Sequence, residues 1–328
     1  MLALIDQAVV PILRISEAGR YESDVQVRFE NSDLFLLGPL AEYLREHPAG
    51  RTPRVLFFGD SVVWGYQIKS HEAIPAAFQR LVPEARVLNF GVNGFTDGSA
   101  YLMSKAVIDG ADAVYLFHHD GPADPLLPKV IDVSPEDLTR FNLAPLSPAE
   151  RAFTRLRSCW RLSRYAYRLQ GAWFGTSTRQ CLYLHKGEWL RRLLQPAPPA
   201  GGRPLPPLAP HPEGRALWDA PVAQRAPAES EQTALAQRYP LLWDYATLLS
   251  THQKHGAIIE TSIETTVADE HERALLNVAF HPYVIFARVT IPDSWLQPDR
   301  IHLTPEGCRG VAELIAERTA GPFGLGRT

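Results

Sequence analysis

The chain has 328 residues, of which 45% are hydrophobic and 21% charged, a composition typical of a globular protein with a sizeable core. Its net charge of -3 gives no positive field for nucleic acid, so no nucleic-acid partner is expected. The three cysteines form no CxxC pair, which argues against a zinc knuckle or a redox dithiol. The N-terminus lacks the features of a signal peptide, so the default expectation is a soluble cytoplasmic protein, with export left open.

The first half of the chain predicts a lead-in over residues 1–52 and then an α/β block over residues 53–125. Short apolar runs that suit strands buried on both faces are separated by amphipathic segments that suit helices. The predicted strands are 55–58, 86–90 and 113–117, and the predicted helices are 37–46, 73–81 and 98–108.

Residues 240–320 repeat this rhythm. The predicted strands are 257–259 and 283–286, and the predicted helices are 241–255, 267–278 and 305–318. Thr304 is the expected N-cap of the last helix, because threonine accepts from the first free N–H groups and Pro305 suits the first helical position.

The alternation predicts a three-layer α/β/α sandwich around a five-stranded parallel sheet. Residues 126–239 break the pattern and are predicted to form a mainly helical insertion, with helices over 148–170 and 179–194. The Pro-rich run 196–212 suits an extended loop rather than a helix or a central strand. The insertion is therefore predicted to be a lid or wall at one end of the sheet.

Gly59-Asp60-Ser61 directly follows the first predicted strand. Open α/β sheets bind ligands at the carboxyl ends of their strands, so Ser61 is a candidate nucleophile. Its backbone N–H could also stabilise an oxyanion if a helix begins there. The alternative is a simple strand-to-helix turn in which Asp60 or Ser61 serves only as a helix cap.

Asp299-Arg300-Ile301-His302 precedes the last predicted helix. A nucleophilic serine needs a base, and an imidazole base needs a carboxylate to hold its tautomer, so His302 and Asp299 are candidates for these roles. The alternative is a solvated surface histidine.

A third motif, residues 89–96, follows the second predicted strand and contains Gly91 and Gly94. Glycine lets the backbone approach a substrate closely, and its N–H can donate to an oxyanion. The alternative is that both glycines only permit a tight turn.

These three motifs, in this order, resemble the SGNH/GDSL hydrolase family over residues 53–125 and 240–320. The resemblance implies a flavodoxin-like fold with Ser61 as nucleophile, His302 as base and Asp299 orienting the base. It also implies an oxyanion hole formed by the backbone N–H groups of Ser61 and Gly94.

One block departs from the family pattern. The family expects Gly-x-Asn-Asp after the third strand, whereas this chain has His118-His119-Asp120, which puts His119 where the oxyanion asparagine should stand. Imidazole can donate a hydrogen bond, so His119 is a candidate substitute donor; the alternative is that it only packs in the loop. No metal site is expected here, because adjacent residues at a strand end point to opposite sides.

The insertion also carries an arginine-rich segment with interleaved aromatic residues. Its arginines are Arg151, Arg155, Arg157, Arg161, Arg164 and Arg168. A helix of this composition can contact an anionic membrane surface or polymer, or it can simply be a solvated face whose aromatic side packs on the core.

The function expected from the motifs is a serine-dependent acyl-ester hydrolase that needs no cofactor. Its substrate would be a small-molecule or carbohydrate ester, or a lipid ester, and an esterase or a deacetylase would both fit. The alternatives are an O-acetyltransferase of the same fold and a non-catalytic carbohydrate-binding module.

Overall fold

A computed structural model of the protein describes residues 52–152, 216–261 and 268–325, apart from positions 67, 69–71, 93, 126 and 130. The strands are β1 (Arg54–Gly59), β2 (Arg86–Gly91), β3 (Ala113–Phe117), β4 (Leu217–Asp219), β5 (His255–Thr261) and β6 (Val284–Thr290). The helices are α1 (Ser61–Trp64), α2 (Ile74–Leu81), α3 (Asp97–Val107), α4 (Pro135–Arg140), α5 (Glu229–Arg238), α6 (Pro240–Thr251), α7 (Glu270–Ala279) and α8 (Pro305–Thr319).

The sheet has six strands rather than the expected five, in the order β2-β1-β3-β5-β6-β4. The five predicted strands are all present and all parallel. The sixth strand, β4, pairs antiparallel with β6 through Trp218 opposite Val289 and lies within the range assigned to the insertion. The prediction of a five-stranded sheet was therefore wrong in its count.

Strand β4 escaped prediction because long-range contacts hold it. Arg273 of α7 donates to the Asp219 carboxylate over 2.5 Å, and Asn277 of α7 donates to the Pro221 carbonyl over 2.8 Å. A strand of three residues is too short to show a periodic pattern in the sequence. These side chains of α7 hold it in position.

Helices cover both faces of the sheet. Successive side chains of each strand point to opposite sides, so each strand contributes to two hydrophobic cores. In β1, Leu56 and Phe58 belong to a hydrophobic core that includes residues of α3, α6 and α7. Val55 and Phe57 belong to a second core that includes residues of α2 and α8. The α/β architecture with layers on both faces agrees with the sequence prediction.

Most predicted bounds hold within three residues. The helix before β5 was predicted to reach His255, but α6 ends at Thr251 and His255 already pairs with Ala113 in the sheet. At α8 the expected cap is present, since the Thr304 hydroxyl accepts from the Gly307 N–H at 3.1 Å.

Several predictions fall outside the described residues, namely the helices over 37–46 and 179–194, most of the arginine-rich segment and the Pro-rich run 196–212. Residues 148–152 are helical, as far as the described part of that predicted helix extends, and Arg151 there is exposed. In the part of the chain that the structure describes, no helix has both the length and the apolarity needed to cross a membrane.

Gly91, the last residue of β2, lets α1 pack directly against the strand end. A Cβ built on Gly91 would lie 2.4 Å from the Trp64 nitrogen and 2.7 Å from the Val63 carbonyl carbon. Both are backbone atoms, so neither can move aside as a flexible side chain would. The turn that carries Ser61 therefore depends on the absence of a side chain at this position.

We expect Gly91→Ala to lower the free energy of unfolding by about 1–3 kcal/mol, the usual cost of overpacking. Gly321→Ala is the matched control, because a Cβ there meets no atom within 4 Å, and it should change stability by less than about 0.5 kcal/mol. Urea unfolding of the two variants measures the difference. Equal stability of both variants would contradict this account of Gly91.

Candidate active site

The turn between β1 and α1 brings the Asp60 and Ser61 side chains to the carboxyl edge of the sheet. Ser61 is the first residue of α1, and Asp60 caps this helix, accepting from the Val62 N–H at 2.9 Å. Ser61 is 6% exposed, so its hydroxyl lies in a largely enclosed site. Asp60, rather than Ser61, is therefore the residue that caps the helix. The Ser61 hydroxyl is available for other contacts.

His302 and Asp299 lie on the loop before α8, next to Ser61. His302 Nε2 is 2.9 Å from Ser61 Oγ, and His302 Nδ1 is 2.8 Å from Asp299 Oδ2. A carboxylate on Nδ1 fixes the neutral imidazole with its proton on that nitrogen, which leaves Nε2 free to accept from the serine hydroxyl. The three side chains thus form the continuous hydrogen-bonded chain that the sequence predicts.

Asp299 is held in its ionised form by the turn it belongs to. The backbone N–H of His302, the His302 side chain and the backbone N–H of Ile301 together lower the pKa of Asp299 to about 2. Asp299 Oδ1 accepts from both N–H groups at 3.0 Å, and Arg300 adopts a positive φ of 58° to close the turn. The carboxylate is therefore charged and oriented at neutral pH.

The residues predicted to form an oxyanion hole lie in the adjacent loops. Gly94 is exposed, with a φ of +74°, in the turn between β2 and α3 that the Phe95 N–H closes by donating to the Val92 carbonyl. Within the described residues, no protein acceptor binds the backbone N–H of Ser61 or of Gly94.

His119 borders this site from the end of β3. Its Nδ1 lies 3.9 Å from Asp60 Oδ2, an oxygen that is itself 3.4 Å from Ser61 Oγ, and its side chain is 37% exposed. His118 points elsewhere: it is buried and pairs with Asp97. Among the residues that the structure describes, no three metal-ligating side chains cluster closely enough to hold a metal ion.

Asp97, which stands in none of the three sequence motifs, connects the loop after β3 to the start of α3. Its carboxylate accepts from the His119 N–H at 3.0 Å and contacts His118 Nδ1, and its own N–H donates to the His119 carbonyl at 2.9 Å. Asp97 is 2% exposed. The only signal in the sequence was an acidic residue at a helix start, which equally suits a helix dipole.

Comparison with known proteins adds no support for a family. Neither the protein-family models nor the curated proteins give a match to this chain. The resemblance to SGNH/GDSL hydrolases therefore depends on the three motifs and on the geometry of the residues they contain.

The Asp97–His118 pair predicts a specific pH dependence of stability. Burial alone would lower the pKa of His118, but the hydrogen bond and charge of Asp97, with smaller contributions from Glu260 and Asp120, raise it. A raised pKa in the folded state gives stability that is fully present below the unfolded value of about 6.5 and is lost as pH rises through the folded pKa.

We expect Asp97→Asn to lower the free energy of unfolding by about 3–5 kcal/mol at pH 6, since it leaves a buried imidazolium unpaired, and by less at pH 9. The matched control is Asp109→Asn, which removes the exposed partner of His252 and should cost less than about 1 kcal/mol at either pH. Urea unfolding at both pH values measures this. A stability loss in Asp97→Asn that is the same at pH 6 and pH 9 would show that His118 is not the titrating group.

Proposed function

We propose that the protein is a serine-dependent acyl-ester hydrolase of the SGNH/GDSL type. The observation that carries the proposal is the chain of contacts from Ser61 through His302 to Asp299, at 2.9 and 2.8 Å. Two separate sequence motifs, residues 59–61 and 299–302, contribute to this constellation at the carboxyl edge of a parallel sheet. The order of the five parallel strands also suits the flavodoxin-like arrangement that binds ligands at this edge.

In the proposed reaction, Ser61 Oγ attacks the carbonyl carbon of an ester while His302 Nε2 takes the hydroxyl proton. The tetrahedral intermediate carries its negative charge on the former carbonyl oxygen, which the N–H groups of Ser61 and Gly94 can hold. When the intermediate collapses, the bond to the alcohol breaks and His302 returns its proton to the leaving alkoxide. The result is an acyl group esterified to Ser61.

The second half of the reaction releases the acyl group. A water molecule attacks the acyl-enzyme, with His302 again taking a proton, and collapse frees a carboxylic acid and returns the proton to Ser61. If the hydroxyl of a sugar attacks in place of water, the same steps transfer the acyl group and the protein is an O-acetyltransferase. Both activities share the acyl-enzyme, so one set of experiments on Ser61 tests them together.

Labelling with a fluorophosphonate probe tests the nucleophile directly. The wild type should be labelled and should hydrolyse a panel of short acyl esters. Ser61→Ala should not be labelled, and its kcat should be lower by about 10⁶-fold. Asp299→Asn should still be labelled, but slowly, and its kcat should be lower by about 10⁴-fold, since the imidazole then has the wrong tautomer. Ser104→Ala is the control, because this buried serine bonds Tyr245 outside the site.

A wild type that neither reacts with the probe nor hydrolyses any ester of the panel would contradict the proposal. That outcome would favour the non-catalytic module, for which binding of oligosaccharides to the folded protein is the matching measurement.

We further propose that His119 replaces the asparagine that the family uses as an oxyanion donor. What supports this is its place just after β3, where its Nδ1 lies 3.9 Å from the Asp60 carboxylate oxygen that is itself 3.4 Å from Ser61 Oγ. Asp97 binds both the backbone N–H and the backbone carbonyl of His119, so the backbone that carries the imidazole is held in place. A donor held this way needs little reorganisation in the transition state.

His119→Ala should lower kcat by about 10²–10³, the usual loss for one oxyanion donor, with a smaller change in KM because the bond is strongest in the transition state. His119→Asn should preserve activity, since an amide also offers an N–H donor. Steady-state kinetics on the best ester of the panel measures both. Equal kcat in the wild type and His119→Ala would show that backbone N–H groups alone hold the oxyanion.

A further inference from the structure

The ring of Tyr66 lies against the imidazole of His302. The two ring centroids are 4.3 Å apart and the ring planes differ by 31°, so the rings are in close, tilted contact. Tyr66 belongs neither to the Ser61–His302–Asp299 chain nor to the oxyanion donors. The inference that follows rests on the proposed function for the role of His302 as a base.

Tyr66 is positioned by the same turn that positions Ser61. Gly65 ends α1 with a φ of +82°, and the N–H groups of Gly65 and Tyr66 both donate to the Ser61 carbonyl at 3.0 Å. A Cβ on Gly65 would lie 2.9 Å from Ala73 Cβ, so the chain has little room for any other residue there. The aromatic ring is thus placed by backbone bonds to the nucleophile itself.

Gln297 connects the loop that carries His302 to Tyr66. Its side chain Nε2 donates to the Tyr66 carbonyl at 2.9 Å and to the Leu303 carbonyl at 2.8 Å. Its backbone N–H donates to the His302 carbonyl at 2.7 Å. The loop that carries His302 is therefore joined to the segment that carries Ser61 through Tyr66, by a hydrogen bond to its backbone and by contact with its ring.

We propose that Tyr66 is a positioning residue for His302 whose ring also stabilises the imidazolium. The base becomes a cation each time it takes the Ser61 proton, and a cation within about 6 Å of an aromatic ring centroid is attracted to the ring face. The other groups facing His302 are the Asp299 carboxylate at Nδ1, the Ser61 hydroxyl at Nε2 and, behind Ser61, the Asp60 carboxylate. None of these is altered when the Tyr66 ring is replaced.

The ring favours the charged form of His302, because the face of an aromatic ring attracts a cation. Tyr66→Leu keeps apolar bulk but removes the ring, so the His302 titration should move to lower pH by a few tenths of a unit to about one unit. Tyr66→Phe keeps the ring face and should leave the titration within about 0.2 units of the wild type. In catalysis, Leu should lower kcat by roughly 3- to 30-fold with little change in KM, and Phe should restore it.

An NMR titration of the His302 ring in histidine-labelled protein tests the inference without requiring activity. The His302 signal is assigned by its absence from the spectrum of His302→Gln. Tyr101→Leu is the matched control, because Tyr101 is a partly buried tyrosine on α3 whose ring contacts Phe141, away from His302. If Tyr66→Leu does not fold, Tyr66→Met removes the ring while keeping a flexible apolar side chain.

If the His302 titration moves to lower pH in Tyr66→Leu or Tyr66→Met but not in Tyr66→Phe or Tyr101→Leu, the inference is supported even if no ester is hydrolysed. In that case only the proposed function fails. Identical His302 titrations in the wild type and the Leu variant overturn it even in an active enzyme. A shift in Phe as large as that in Leu also overturns it, because the ring face would not be the cause.

Discussion

The hydrogen bond between Ser61 and His302 joins two residues that are 241 positions apart in the chain, and the arrangement of the site depends on it. For these two atoms to meet at 2.9 Å, β1 and the loop before α8 must deliver their side chains to one edge of the sheet. The parallel arrangement does this, because all five parallel strands end on the same side. The constellation therefore depends on the parallel arrangement of the sheet as well as on the local motifs that carry its residues.

Local bonds then refine what the sheet brings together. The turn from Asp299 to His302 is closed by two backbone N–H groups on one carboxylate, and Gln297 fastens this loop to Tyr66. On the side of the nucleophile, the missing side chain of Gly91 lets α1 lie against β2. Each of these contacts removes freedom from a group that the proposed reaction needs in one orientation, which is how a site lowers the entropy cost of catalysis.

Buried charges lie behind the site, at the ends of β3 and β5. Asp97 pairs with His118, and Glu260 lies 3.7 Å from Arg273, whose other nitrogen binds Asp219 of β4. Burial raises the pKa of Glu260, although the Ala268 N–H and nearby cations oppose the shift. Removing one partner of a buried pair is costly, so these pairs connect the loop of His119 and the edge strand to the elements beside them.

The sequence by itself determined the five parallel strands, the alternation of helices and the residues that meet at the carboxyl edge. These follow from short-range causes: continuous apolar runs, glycine turns and helix caps such as Thr304, each of which lies within a few residues of the element it defines. Ser61, His302 and Asp299 could be found this way because each stands in a motif next to such an element.

Tertiary structure alone decided the sixth strand, the roles of Asp97 and Gln297, and the contact of Tyr66 with His302. Leu217–Asp219 is a strand only because α7 holds it against β6 through side chains more than fifty residues away. Asp97 contacts His118 and His119, and Gln297 binds Tyr66, each in a distant segment that nothing in the neighbouring residues indicates. Contacts between distant segments leave no periodic pattern in the chain, and for that physical reason they became visible only once the sheet had set the segments side by side.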